Sequence, residues 1–319
     1  MGELTQEEIE HRRYLKKRIR QRKRRRKVMI ARAVVLLIVI MLFAGIFGIV
    51  KLVYNNVTGE SRKVTTKPSV TILPEETDEP ITVDLPDGYD IYYEQLDKLR
   101  DDYPEINDIL LNISQYPEDL LNLVINNQET VSFAAGYPKH QGDTEASGSI
   151  SKSELGDRRI PLFQQWDKRW GYVSYGSNII AIDGCGPTCM SMVYTGITGD
   201  TSKSPADIAE FCSDNNYYDS ENGTSWSLMS EGAKKLGLQS EKLTVDKKNI
   251  KEKLGEGRPV ICSMIPGDFT SQGHFIVLTE INGNKLRVND PNSIRRSEPD
   301  WDFDRVLEQV KAAWSYSAG

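Results

Sequence analysis

The chain has 319 residues, 27% of them charged and 39% hydrophobic, with four cysteines. That is enough for one or two domains with appendages, and too few cysteines for a disulfide scaffold. The net charge of -6 averages unlike parts: residues 1–27 carry twelve Lys/Arg against four acids, a net of +8, and the rest carries −14.

The reason for that asymmetry lies next to the basic block. Residues 33–50 are uncharged and almost wholly aliphatic, with Arg32 before them and Lys51 after. At about 1.5 Å per residue such a helix nearly matches a ~30 Å hydrocarbon core, and the flanking cations can snorkel. The run exceeds a signal-peptide apolar region, and no A-x-A-type cleavage site follows it. Residues 33–53 therefore read as an uncleaved, single-pass transmembrane anchor. The positive-inside rule makes residues 1–32 a cytoplasmic tail and places everything after the span outside the cell. Beside a span, the Lys/Arg cluster reads as a topology and anionic-lipid element rather than a nucleic-acid site.

Residues 54–90, rich in Thr, Pro and acids, predict an extended stalk. Across 91–136, Leu96, Leu99 and Tyr103, then Ile106, Ile109, Leu110 and Ile113, then Leu120, Leu121, Val124 and Ile125 recur at helical spacing. Tyr103-Pro104 and Tyr116-Pro117 separate the runs, each proline opening a new helix. Three or four short helices are expected, the last near Glu129–Ala135. Polar residues 137–157 read as a linker, with His140 a surface histidine.

Residues 158–319 read as a mixed α+β domain. Ile160–Phe163 and Asn178–Ile182 are strand-like, and helices are expected from Cys185 and over Pro205–Cys212. Gly223-Thr224-Ser225-Trp226 leads into a further helix ending at Gly237. A strand at Leu238–Val245, a helix at Lys247–Leu254 and a strand at Pro259–Met264 come next. Strands His274–Ile281 and Lys285–Asn289 straddle Asn282-Gly283, a strong hairpin signal. A helix near Val306–Val310 and a strand at Ala313–Tyr316 close the chain.

Within this domain stands Asp183-Gly184-Cys185-Gly186-Pro187-Thr188. A thiol at a helix N-terminus meets the positive end of the dipole and unpaired N–H groups, which suit a nucleophile; a small buried thiol at a tight turn fits the same residues. The flanking glycines would leave room for a substrate backbone. A thiol nucleophile needs a base and an orienter for that base. His274 is the one histidine of the C-terminal half and opens an apolar strand; Asp290 follows the hairpin's second strand, which returns it to the same side. Gln165, with the Cys185 backbone N–H, is the candidate oxyanion donor. Cys185 and Cys189 stand about one helical turn apart, poor geometry for a bridge, and no second ligand pair at zinc spacing accompanies them, so no metal is expected.

These motifs, Ile160-Pro161-Leu162-Phe163-Gln164-Gln165-Trp166-Asp167-Lys168-Arg169-Trp170-Gly171, Asp183 to Thr188, Gly273 to Leu278 and Val288-Asn289-Asp290-Pro291, resemble peptidase family C-39-like domains over about residues 158–317. Such domains are papain-fold cysteine peptidases related to those that trim double-glycine leaders from exported peptides. The resemblance implies Cys185 as nucleophile, His274 as base, Asp290 as orienting carboxylate and Gln165, rather than the adjacent Gln164, as oxyanion donor. It also implies a nucleophile helix packed on an antiparallel sheet, and no cofactor. It makes Gly223 to Trp226 a further family motif, with Trp226 structural or a cleft wall. No nucleotide-binding motif occurs and the domain should face outward, so leader processing does not carry over. The expected protein is an outward-facing cysteine hydrolase acting on a peptide or cell-wall peptide. A cell-wall amidase or acyl transferase, or a non-catalytic peptide- or wall-binding module, would use the same fold.

Overall fold

The computed structural model describes residues 69–72, 81–156, 158–219 and 223–319. The basic tail, the predicted span at 33–53 and much of the predicted stalk lie outside the described residues. Among those described, no helix is long and apolar enough to cross a membrane.

Part of the range expected to be a bare stalk is paired. β1 (Ser69–Ile72) and β2 (Ile81–Asp84) run antiparallel, with Ser69 opposite Asp84 and Ile72 opposite Ile81. Their β-branched residues favour strand, a signal that the surrounding Pro and acids obscured in the sequence. Leu85 is buried and Tyr89 packs beside it, so the folded region begins ahead of residue 91.

The helical segment comprises α1 (Asp90–Asp97), α2 (Ile106–Leu111), α3 (Glu118–Asn126) and α4 (Val131–Gly136). The predicted apolar stripes meet in one cluster: Leu96, Ile106, Ile109, Leu110, Ile113, Leu120, Leu121 and Val124 have no exposed surface. Tyr172, Ile179 and Ala181 of the following domain belong to the same cluster. Tyr172 joins the two parts, its ring stacked on Phe133 at 4.2 Å and its hydroxyl donating to the Phe133 carbonyl at 2.7 Å. His140 stacks on the same tyrosine at 4.2 Å and pairs through Nδ1 with Asp143. It is half-buried and engaged rather than a free surface residue. The expected linker is also packed: Ile150 is buried, and a capping box at Ser151 and Glu154 orders a short 3-10 turn.

The C-terminal domain opens with β3 (Ser174–Tyr175), β4 (Asn178–Ile179), α5 (Ile180–Asp183), α6 (Cys185–Thr198) and α7 (Pro205–Asp214). β5 (Tyr218–Asp219) and β6 (Gly223–Thr224) precede a π turn at Leu228–Gly232 and α8 (Ala233–Lys235). Then come β7 (Leu238–Leu243), α9 (Lys247–Gly255), β8 (Val260–Met264), β9 (His274–Asn282) and β10 (Lys285–Asn289). The chain closes with α10 (Ile294–Ser297), β11 (Asp300–Asp302), α11 (Phe303–Leu307) and β12 (Val310–Ala318).

One expected strand is absent and a second is cut to its first two residues, β4. Ile160–Phe163 is irregular, and the buried Asn289 side chain donates to the Ile160 and Pro161 carbonyls at 3.0 Å each. Pro161 has no N–H for a ladder, and a side chain supplies the pairing instead. Ile180–Ile182 lies in the helical turn α5; a short apolar run does not by itself separate helix from strand.

Six strands form one antiparallel sheet in the order β11-β10-β9-β8-β12-β7. Side chains alternate between its faces. Ile261, Phe275, Val277, Trp314 and Tyr316 meet Cys189, Met190 and Val193 of α6. Cys262, Met264, Ile276, Leu278 and Ala313 meet Ile250 and Leu254 of α9 and Phe303 and Val306 of α11. Both faces are thus covered, which explains why every residue of β8 is buried.

Candidate active site

α6 begins at Cys185. Its N-cap is Gly184, which offers no side-chain acceptor to the first N–H groups. The helix therefore presents bare donors and the positive end of its dipole beside the half-buried Cys185 thiol. Cys189, Cys212 and Cys262 have no exposed surface, and burial pushes each thiol pKa up. All four cysteines are free.

The two flanking glycines are required by packing. A Cβ at Gly186 would lie 2.7 Å from Cβ of Thr224, and one at Gly184 would strike the Ile180 carbonyl oxygen. Gly186→Ala should therefore lower stability by about 1–3 kcal/mol, the usual effect of overpacking. Thermal denaturation of the variant would show it, and an unchanged midpoint would contradict the contact.

β9 and β10 bring the other two residues together as the hairpin pattern predicts. The turn residues are Gly283, at φ 61°, and Asn284, since Asn282 pairs with Lys285 within the ladder. His274 opens β9 and Asp290 directly follows β10. His274 Nε2 donates to Asp290 Oδ1 at 2.8 Å. That leaves Nδ1 for the Cys185 thiol, with which the ring also interacts.

The electrostatics of this pair are set by burial against charge. Burial opposes an imidazolium at His274, but the Asp290 carboxylate outweighs it, and with Cys185 raises the His274 pKa to about 9. Burial likewise opposes ionisation of Asp290, yet His274 and the Arg296 guanidinium hold its pKa below the ordinary value. Asp290 has no exposed surface and both its oxygens are occupied. Oδ1 also accepts the Asn292 N–H at 2.8 Å, and Oδ2 accepts Arg296 Nε at 2.5 Å.

Gln165 is buried between these elements. Its N–H donates to the Pro291 carbonyl at 2.7 Å, and its Nε2 donates to the Ala181 and Ile182 carbonyls at 2.7 and 3.2 Å. Its Oε1 has no hydrogen-bond partner among the described residues. The amide thus faces the backbone leading into Cys185. Gln164 turns the other way: its Nε2 donates to the Asp290 carbonyl, and its own carbonyl accepts Trp170 Nε1. Trp226 rests edge-on against Trp314 at 5.4 Å, with the Lys242 and Lys311 ammonium groups over its ring.

Two roles in this neighbourhood were not legible in the sequence, that of Arg296 and that of Asn289. Arg296, six positions after Asp290, had no motif to mark it. Asn289, buried beside Asp290, holds the Ile160–Pro161 segment and accepts from Arg158 Nη1 at 2.7 Å.

The sequence model of the Peptidase_C39 like family matches residues 158–319, half of the chain. The chain belongs to this family. At that level the match and the mixed helix-and-sheet fold support a cysteine peptidase. Solved structures similar to this C-39-like chain include the peptidase domain of Streptococcus ComA, a bi-functional ABC transporter involved in a quorum sensing pathway. It shares 19% identity, with 50% of this chain and 99% of that one covered and a TM-score of 0.36. A putative C-39-like peptidase from Bacillus anthracis shares 17%, with 54% and 98% covered and a TM-score of 0.32. A double glycine motif protease from an AMS/PCAT transporter, solved with its leader peptide, shares 13%, with 51% and 96% covered and a TM-score of 0.33. None of the curated proteins matches the sequence closely enough to count as a relative.

Proposed function

We propose that this protein is a membrane-anchored, outward-facing cysteine hydrolase that cleaves amide bonds in peptides. The observation that carries the reading is His274, held through Nε2 by a buried carboxylate and facing the thiol of Cys185 at a helix N-terminus. His274 takes the thiol proton, and the thiolate attacks the carbonyl carbon. The resulting imidazolium, stabilised by Asp290, protonates the leaving amine. Water, deprotonated by the same imidazole, then hydrolyses the thioester. The Cys185 N–H and one Gln165 amide hydrogen serve the oxyanion, Gln165 exchanging its longer bond to the Ile182 carbonyl for it. The apolar run at 33–50 with its preceding basic block supports the anchor and the outward orientation. Peptides and cell-wall peptides are the proposed substrates, and the same steps serve amidase or acyl-transfer chemistry.

A second reading, a non-catalytic module binding peptide or wall polymer, is favoured by Gln165 alone, whose amide hydrogens lie on backbone carbonyls. The pH dependence of Cys185 alkylation separates the two. The hydrolase predicts a thiolate reactive well below the ordinary thiol pKa of ~8.5, and loss of that acid-side reactivity in His274→Ala. A rate that simply follows a thiol titrating near ~8.5, indifferent to His274, would support the binding module instead.

A further inference from the structure

The loop that follows Asp290 is gripped by the helical segment, outside the residues that match the family. Asn127 Nδ2 donates to the Asn292 carbonyl at 2.5 Å, and Trp166 Nε1 donates to the same oxygen at 3.1 Å. Glu129 makes the larger contact. Its Oε1 accepts from the Ser293 hydroxyl, and its Oε2 accepts the Ile294 and Arg295 N–H groups at 2.9 and 3.2 Å. An anionic group on the first donors of α10 satisfies N–H groups that would otherwise lack partners. The same turn carries Arg296, whose Nε lies on Asp290 Oδ2, and it follows Asn292, whose N–H lies on Oδ1.

We infer that Glu129 is a positioning residue for the Asp290 carboxylate, an inference that rests on the Cys185–His274–Asp290 reading above. By fixing residues 293–295, Glu129 sets where the Arg296 guanidinium and the Asn292 N–H meet Asp290. Freed from Glu129, the loop relaxes, both donors drift from the carboxylate, and Asp290 holds the His274 imidazolium less firmly. The helical segment is on this view part of the catalytic apparatus, acting through hydrogen bonds to a loop about 165 residues further along the chain.

The titratable groups around this relay are few. Asp290 faces His274 and Arg296, with the Cys189 thiol of α6 behind it. His274 faces Asp290 and Cys185, and Glu129 acts on Arg295, whose guanidinium meets the Tyr103 hydroxyl.

The test uses the full-length chain and iodoacetamide, which needs no knowledge of the substrate. Because the other three cysteines have no exposed surface, alkylation reads Cys185. Rates are measured between about pH 5 and pH 10 for the native protein, Glu129→Ala, Glu129→Gln and His274→Ala. In Glu129→Ala the alkaline transition governed by His274 should move down by about half a unit to one unit. Glu129→Gln keeps one acceptor oxygen and should fall between that variant and the native protein. A residue that merely adds stability would lower the melting temperature and leave the profile where it was. A folded Glu129→Ala protein with the native profile overturns the inference. If that variant does not fold, Glu129→Gln decides in the same way, a shifted profile supporting the role and a coincident one overturning it. A native profile unmoved by His274→Ala would overturn the triad itself. A His274-dependent profile that ignores Glu129 overturns only the positioning role.

Discussion

Cys185→Ala should abolish hydrolysis, a loss on the order of 10⁴- to 10⁶-fold in kcat when a nucleophile is removed from a triad. No other thiol can substitute: Cys189 lies one turn deeper in the same helix, and Cys212 and Cys262 are sealed in the core. The substitution removes only a sulfur from a half-buried position, so the fold should persist. Initial rates on whichever peptide or muropeptide the native protein cleaves, read beside circular dichroism, make the measurement. Turnover retained by a folded Cys185→Ala protein would rule out thiol chemistry here.

Asp290 carries the second large effect, on catalysis and stability together. Asp290→Asn keeps the shape but loses the charge that stabilises the imidazolium, and a drop of roughly 10⁴-fold in kcat is the precedent for a triad carboxylate. Asp290→Ala leaves the buried His274 and the Arg296 guanidinium without their common partner. Breaking a buried pair from one side typically costs about 3–5 kcal/mol.

The sign of the pH dependence follows from the two shifts. His274 is raised from 6.5 to about 9, so its stabilisation is complete below 6.5 and is lost as the pH rises through about 9. Asp290 is lowered from 3.8, so its stabilisation is complete above 3.8 and is lost as the pH falls through its depressed value. The native protein should therefore be most stable between those limits. The gap in melting temperature between native protein and Asp290→Asn should narrow from about pH 5.5 to about pH 9.5. A gap that widens toward alkaline pH would contradict the pairing.

What the sequence disclosed divides along a physical line. Local patterns were legible: the stripes of Leu96 to Ile125, the helix opened by Cys185 and Gly186-Pro187, and the hairpin that returns Asp290 to His274. Each depends on neighbours a few residues apart. Contacts made across long separations were not legible. Glu129 on residues 293–295 and Asn289 on Ile160 bear no mark in the linear chain, because nothing local requires them, and Arg296, though only six positions from Asp290, had no motif to mark it. The glycines beside Cys185 were noticed, but the close packing of Thr224 and Ile180 against them was not legible. Short apolar runs at 160–163 and 180–182 misled because burial is common to strand, helix turn and irregular backbone alike.

The place of β12 in the sheet has a consequence for how the molecule comes into being. This strand, the last element in the chain, lies between β8 and β7, and its Trp314 and Tyr316 form part of the floor beneath α6. Before residues 310–318 are available, β7 has no neighbour and β8 is a bare edge, the kind of surface that recruits foreign strands. Pairings between distant parts of a chain are also the slow ones to form. A nascent chain would thus carry the α6 helix well before the sheet beneath it is complete. The sheet that presents His274 is completed only when residues 310–318 pair between β8 and β7, so its assembly waits on a strand that follows His274 by more than thirty residues.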